Sequence, residues 1–279
     1  MTRYRLNNIK LPLEAGAEEV WAQTVQRAGS PALRNFRVAK KSLDARRKDN
    51  LFWVYAAEFE YDGALETGGD LLELAPEERL DFTAVCRSGG AAGMNLTAGM
   101  NLPGGMKLPG GMKLPGGTGI RAAGDGLRPV VAGSGPAGMM AALCLAEAGL
   151  RPIVLERGAA VRERQKAVQK FWATGELAPE TNVQFGEGGA GTFSDGKLMT
   201  GIKKDKYTAK VLEEFVKAGA PGEILYLAKP HIGTDNLALM VENIRHKVES
   251  LGGEYRFGEK LADLRIDYDG AGDGAGNEN

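Results

Sequence analysis

A glycine-rich turn between an apolar segment and a helix-forming segment carries the clearest chemical signal in this sequence. It reads GSGPAG at residues 133–138, after the apolar run 129–132 and before residues 139–148. Gly133 permits a tight turn, Gly135 lets a diphosphate approach the backbone, and Gly138 lets the helix pack closely on the strand. The N-terminus of such a helix offers free N–H groups and a partial positive charge to phosphates. This spacing predicts a dinucleotide site.

An acidic residue follows at the position that such a site requires. The second apolar segment, residues 152–155, ends on Glu156. A carboxylate there accepts hydrogen bonds from a ribose diol and repels a 2′-phosphate, which disfavours NADP at this site. The glycine pattern alone is weak evidence, because 40 of the 279 residues are glycine. The order strand, turn, helix, strand, acid favours a nucleotide site over the alternative, a glycine turn in an ordinary α/β protein.

A second glycine-rich segment has no repeat and carries polar residues. Residues 185–198 read FGEGGAGTFSDGKL and include Glu187, Ser194, Asp195 and Lys197. A loop with so few side chains allows the backbone to approach a flat or phosphorylated ligand closely. We favour a ligand-binding loop over the alternative of a mobile surface loop.

The first part of the chain, residues 1–87, has the pattern of a small α+β domain. The apolar spacing and the β-branched and aromatic residues predict four elements and a short fifth. These are strand 4–11, helix 17–28, strands 36–40 and 51–61, and a short helix over 71–80 around Pro76.

A basic stretch in this domain raises the question of nucleic-acid binding. Seven cations lie close together, and strand aromatics follow them. They are Arg34, Arg37, Lys40, Lys41, Arg46, Arg47 and Lys48, followed by Phe52, Trp53 and Tyr55. Such a surface can hold single-stranded nucleic acid by charge and stacking. We favour a solvated connection between strands, because the formal net charge of the whole chain is only -1.

Low-complexity sequence lies between the two regions and again after the second region. Residues 92–115 hold one hexapeptide, of the type AGMNLP or GGMKLP, four times over. A parallel β-helix is one structure for hexapeptide repeats, but this composition favours a flexible linker over residues 88–127. The glycine-rich residues 269–279 are interpreted as a tail or a truncated insertion.

The sequence argues against a disulfide scaffold, a cysteine-based zinc site and a dithiol redox centre. Its two cysteines, Cys86 and Cys144, form no Cys-x-x-Cys pair, and its two histidines are too few for a histidine-based metal site. We expect no metal. There is no signal-peptide pattern and no apolar run near the ~20 residues that span a bilayer, so we expect a cytoplasmic protein without membrane contact.

Four motifs together resemble the front part of an FAD-dependent oxidoreductase. They are VVAGSGPAGMMAALCLAEAG, VLERG at residues 154–158, NVQFGEGGAGTFSDGKL and KPHIGTDNL. Many flavoproteins share the first two, whereas the last two are more specific. They are similar to a bacterial family of FAD-dependent dehydrogenases, also described as NAD(P)/FAD-dependent oxidoreductases. The N-terminal region is similar to the small domain that precedes the flavin domain in these proteins.

The resemblance implies an α/β fold in which a Rossmann-like FAD-binding β-α-β region, over residues 128–268, follows the small α+β domain. It implies FAD as the cofactor, with NAD(P)H as one candidate electron donor. The site residues that it implies are Gly133, Ser134, Gly135, Pro136, Ala137, Gly138, Glu156, Arg157, Gly188, Gly189, Gly191, Ser194 and Lys197. No catalytic acid or base is assigned.

The expected function is hydride transfer between FAD and a small-molecule substrate or NAD(P)H. Members of the family are longer, so we expect this chain to be the front part of such a protein, with a truncated flavin region. Two alternatives stay open. One is a flavin-dependent reductase acting on an isoprenoid or on tRNA, and the other is a non-catalytic protein that binds a nucleotide or RNA.

Overall fold

The computed structural model describes residues 1–47, 49–82, 128–198 and 206–264. The predicted linker 88–127 and tail 269–279 lie outside these residues. The described part contains a four-stranded sheet near the N-terminus and a three-stranded sheet after residue 128.

The N-terminal sheet is antiparallel and packs against one helix. Its elements are β1 (Thr2–Leu11), α1 (Ala17–Ala28), β2 (Arg34–Asp44), β3 (Phe52–Tyr61) and β4 (Leu71–Leu74), with strand order β2-β3-β1-β4. Tyr4 and Leu6 of β1 face the core, and a bulge then shifts the register so that Ile9 and Leu11 face it too. A bulge inserts an extra residue into a strand, so that the alternate side chains after it again face the core.

The predicted helix over residues 71–80 is wrong. Residues 71–74 form β4, which pairs antiparallel with β1 and places Leu71 opposite Leu6. The strand begins after a turn in which Gly69 has a φ of +56°. Leucine and glutamate favour helices locally, but the hydrogen bonds to β1 and the burial of Leu71 decide the structure here.

Most of the basic stretch lies on a strand rather than in a connection. Residues 34–41 belong to β2, and Arg46 and Arg47 lie in the turn before β3, whereas Lys48 is outside the described residues. Arg37 donates to Glu58 at 2.6 Å and to Glu77 at 2.9 Å, and Lys41 lies 4.4 Å from the centre of the Trp53 ring. Part of the basic charge is therefore paired within the domain.

The second sheet is parallel, with strand order β5-β6-β7. Its elements are β5 (Val130–Ala132), α2 (Pro136–Glu147), β6 (Ile153–Glu156), α3 (Val161–Thr174), α4 (Lys206–Lys217), α5 (Thr234–Ser250) and β7 (Glu254–Phe257). Short 3-10 turns cover Ala190–Phe193 and Gly222–Leu225. Helices α2 and α5 pack on one face of the sheet, where Ala142, Val154 and Val248 are fully buried. This region is a mixed α/β unit.

Helix α2 starts earlier than predicted, and helix α3 includes Trp172 near its C-terminal end. Helix α2 begins at Pro136 rather than Met139, because proline suits the first position of a helix. Helix α3 continues to Thr174, so Trp172 lies within it, exposed and edge-on to Phe193.

The two sheets are connected through the outer edge of β2. The Lys41 N–H donates to the Tyr226 carbonyl at 2.8 Å, and the Ala228 N–H donates to the Lys41 carbonyl at 3.0 Å. Residues 226–228 thus extend the exposed edge of the N-terminal sheet.

Among the residues that the structure describes, no helix is long and apolar enough to cross a membrane. The same residues contain no group of three or more histidine, cysteine or acidic side chains arranged to hold a metal ion.

Candidate functional site

The GSGPAG turn connects the end of β5 to the start of α2, and its three glycines have different surroundings. Gly133 has a φ of +89°, and a Cβ atom added to Gly133 or Gly135 would meet no atom of the described residues within 4 Å. A Cβ atom on Gly138 would lie 2.0 Å from the Gly133 carbonyl oxygen. Gly138 is therefore fixed by close packing of the helix on the turn, whereas Gly133 and Gly135 border open space.

Glu156, at the end of β6, is buried and holds this turn in place. One carboxylate oxygen accepts hydrogen bonds from the N–H and the hydroxyl of Ser134, both at 2.8 Å. The other accepts from the Gly158 N–H at 2.9 Å. An ionised carboxylate has about four acceptor positions. The described residues use three of these positions, which leaves about one.

The second glycine segment lies directly on the turn. The Gly188 N–H donates to the Ser134 carbonyl at 2.9 Å. Gly189 has a φ of +64°, and a Cβ atom there would lie 3.3 Å from the Gly135 Cα and 3.2 Å from the Pro136 Cδ. Any side chain at Gly189 would therefore press on the turn. The structure thus brings together two glycine segments that the sequence identified separately.

The remaining predicted residues make local contacts. Ser194 donates to the Gly191 carbonyl at 2.8 Å, and Lys197 pairs with Asp195 at 2.9 Å. This ion pair lowers the pKa of the Asp195 carboxyl. Arg157 lies 3.9 Å from the centre of the Phe185 ring and donates to Glu180 at 2.5 Å.

The specific motif KPHIGTDNL runs antiparallel to the end of the second glycine segment. The Leu198 N–H donates to the Pro230 carbonyl at 2.9 Å, and the Ile232 N–H donates to the Gly196 carbonyl at 3.0 Å. The two motifs that carried the most specific part of the resemblance are therefore hydrogen-bonded to each other.

Sequence reasoning did not single out Arg164, a fully buried residue of α3. Its guanidinium donates four hydrogen bonds, all to main-chain carbonyls of the second glycine segment or the residues just before it. Burial lowers its pKa to about 10, so it stays charged near neutral pH. The helical spacing that places Arg164 on the same face as Val161 and Val168, both buried, is the signal that could have identified it.

Glu187 was noticed in the sequence as a polar loop residue, but it is fully buried. Its carboxylate accepts from the Val161 N–H at 2.7 Å and from Arg245 at 2.8 Å. Burial raises the pKa of Glu187, although both of these partners favour the charged form. Its contacts connect the loop to α3 and α5.

The geometry fits the diphosphate of a dinucleotide. The first N–H groups of an α-helix have no partner within the helix. In α2 the first residue, Pro136, has no N–H, so these groups are the N–H groups of Ala137 and Gly138, next to Gly135. An anionic group is stabilised in such a place by the N–H groups and the helix dipole.

Comparison with known proteins identifies the same part of the chain. Residues 128–188 match the family of FAD binding domains. A protein of Clostridium beijerinckii (strain ATCC 51743 / NCIMB 8052), described as an uncharacterized protein, is 58% identical over 134 residues. Those residues are 48% of this chain and 25% of the relative, so the match spans about a quarter of the relative's length. The family match confirms the resemblance of this part of the chain to an FAD-dependent oxidoreductase family.

Proposed function

We propose that this chain binds FAD and belongs to a flavin-dependent oxidoreductase. The observation that carries the proposal is the open space beside Gly133 and Gly135 at the start of α2. The parallel order β5-β6-β7, with the turn after β5, is also that of a Rossmann-like half-domain.

In this proposal the turn holds the diphosphate and neighbouring residues hold the rest of the adenosine half. The N–H groups of Ala137 and Gly138 face the phosphates, Gly133 and Gly135 leave room for them, and Ser134 and Pro136 shape the turn. Glu156 uses its remaining acceptor position for the ribose, and Arg157 lies next to it in the chain.

The second glycine segment forms another wall of the proposed site. Gly188 and Gly189 lie on the turn, and Gly191 leaves room because a Cβ atom there would also meet no described atom within 4 Å. Ser194 and Lys197 continue this wall. FAD, when bound, supplies the chemistry of accepting and donating a hydride, and the protein binds and orients it. NAD(P)H as the electron donor stays an expectation of the family resemblance.

A competition experiment tests the proposal. Binding of FAD to the whole chain is followed by flavin fluorescence, and ADP or FMN is then added in excess. Because the proposed contacts are to the diphosphate and the adenosine half, ADP should displace FAD and FMN should not. Displacement by FMN and not by ADP would contradict the site.

The same preparation separates the proposal from a non-catalytic RNA-binding protein. Such a protein would bind no flavin and would retain RNA, with an affinity that falls steeply as salt concentration rises. We expect flavin binding and no salt-sensitive RNA retention.

A further inference from the structure

The second glycine segment has few side chains of its own, so other parts of the chain must fix its shape. Four of its glycines, at positions 186, 188, 189 and 196, have positive φ angles. Glycine loses more conformational freedom on folding than other residues do. A defined loop of this composition therefore needs strong external contacts.

Arg164 provides such contacts from the buried face of α3. Its Nε atom donates to the Asn182 carbonyl at 2.9 Å, and Nη2 donates to the Val183 carbonyl at 2.8 Å. Nη1 donates to the carbonyls of Glu187 and Gly189, at 2.6 and 2.8 Å. One planar guanidinium thus joins two stretches of backbone, residues 182–183 and residues 187–189.

These bonds end at the point where the loop meets the GSGPAG turn. Gly189, whose carbonyl accepts from Arg164, lies against Gly135, and the neighbouring Gly188 N–H donates to Ser134. A shift of the 187–189 backbone would therefore move the surface that faces the proposed diphosphate position.

We propose that Arg164 is a positioning residue for the cofactor: its buried guanidinium holds residues 182–189 in place against the GSGPAG turn. The inference rests on the proposed FAD site, because only a ligand there gives the loop position a function.

The shape of the guanidinium, rather than its charge, is the property that the contacts require. All four hydrogen bonds go to neutral carbonyls, and the nearby carboxylate of Glu187 is held by Val161 and Arg245 instead. Arginine presents five donors in a fixed planar fork, whereas lysine presents three donors on one atom. Lysine keeps the charge but cannot reach both stretches of backbone.

Three variants test this inference in the whole chain. Arg164→Lys keeps the charge, Arg164→Met removes it, and Arg162→Gln removes an exposed ion pair with Glu242 from the same helix as a control. Hydrogen exchange of residues 182–191 is measured without FAD, and the FAD dissociation constant is measured separately. Circular dichroism confirms that each variant keeps its helices.

We expect faster exchange of this segment in both Arg164 variants and no change in Arg162→Gln. We expect FAD affinity to fall roughly tenfold in both, since a loop that adopts its binding-competent position only about a tenth of the time lowers the apparent affinity by that factor. Wild-type exchange and affinity in Arg164→Lys would overturn the inference, and would do so even if Arg164→Met failed to fold. If the wild-type chain bound no FAD, the proposed function and the role of Arg164 in positioning the cofactor would both be contradicted. Faster exchange in the Arg164 variants would then show only that the arginine shapes the loop.

Discussion

At the scale of single residues, the glycines of one turn have separable functions. An added Cβ atom is free of contacts at Gly135 but would lie 2.0 Å from a carbonyl oxygen at Gly138. A side chain at the first position occupies the space proposed for the ligand, while a side chain at the second disturbs the packing of α2 on the turn. Binding and stability should therefore respond differently to substitution at these two positions.

The Gly135→Val variant should fold normally and lose FAD. Gly135 has a φ of -68°, which a side chain tolerates, so we expect the unfolding midpoint to stay within a few degrees of wild type. Affinity for FAD, measured by calorimetry, should fall below detection because the side chain takes the place of the diphosphate. Unchanged FAD affinity would contradict the assignment of the turn.

Gly138→Ala is the matched comparison on the same turn. Its methyl group must displace backbone, and overpacking of this kind costs about 1–3 kcal/mol. We expect a lower free energy of unfolding by urea, in contrast to Gly135→Val. Equal stability of the two variants would show that Gly138 is not held by packing.

The residues of this site were predictable to different degrees. The spacing of Gly133, Gly135 and Gly138 predicted the turn and its close packing, because the conformational demands of such a turn act over a few neighbouring residues. The helical spacing of Arg164 with Val161 and Val168 indicates a buried position, but its partners, and the burial of Glu187, depend on contacts with other segments that no local pattern reveals.

At the scale of elements, the N-terminal sheet is held by a buried acid among arginines. Glu58 of β3 accepts from Arg5 of β1 at 3.0 Å and from Arg37 of β2 at 2.6 Å. Burial alone would raise the pKa of Glu58, but the hydrogen bonds from Arg37 and Arg5 outweigh it and lower the pKa below its usual 4.5. Three neighbouring strands are thus joined by one carboxylate.

The Glu58→Gln variant should lose stability at neutral pH and lose part of its acid sensitivity. Because the folded-state pKa is lowered, the stabilisation is fully present above pH 4.5 and disappears as the pH falls through the lowered value. Both arginines are partly exposed, so solvent screening keeps the expected loss to about 1–2 kcal/mol at pH 7.

Urea unfolding at pH 7 and at pH 4 or below measures this difference. The wild type should lose more stability on acidification than Glu58→Gln does. Glu60→Gln, two residues along the same strand, is the matched control, because Glu60 accepts from Asn35 and not from an arginine. Equal acid sensitivity of wild type and Glu58→Gln would contradict the role of Glu58.

The helices and strands show where local sequence patterns are enough to predict secondary structure. Helix α1 matches its prediction, residues 17–28, because its apolar spacing coincides with the face that packs on the sheet. Strand β4 was missed because residues 71–74 have helix-forming types and become a strand only by pairing with β1. Long-range pairing of this kind has no local signature.

At the scale of the whole molecule, the two sheets are joined by backbone hydrogen bonds. Lys41 uses both of its backbone groups to bind residues 226–228, so these groups point away from β3. The chain continues from there into the KPHIGTDNL motif, which pairs with the second glycine segment. The small domain is thus connected to the proposed site through residues 226–233.

Lys41→Pro tests this connection. Proline removes the N–H that donates to Tyr226 but is tolerated on a strand edge, so the β2–β3 pairing should survive. We expect faster hydrogen exchange at Ala228 and a loss of about 1 kcal/mol, the usual value of one hydrogen bond. Lys41→Ala keeps the N–H and should leave the exchange of Ala228 unchanged. Equal exchange in both variants would show that the two sheets are not held together here.

The flavin absorbance of the chain, after addition of FAD and removal of the excess by gel filtration, shows whether the chain binds FAD. We expect a flavin band that elutes with the protein, at about one flavin per chain, because the GSGPAG turn, Glu156 and the second glycine segment are already assembled. A protein that elutes folded and without flavin would contradict this expectation.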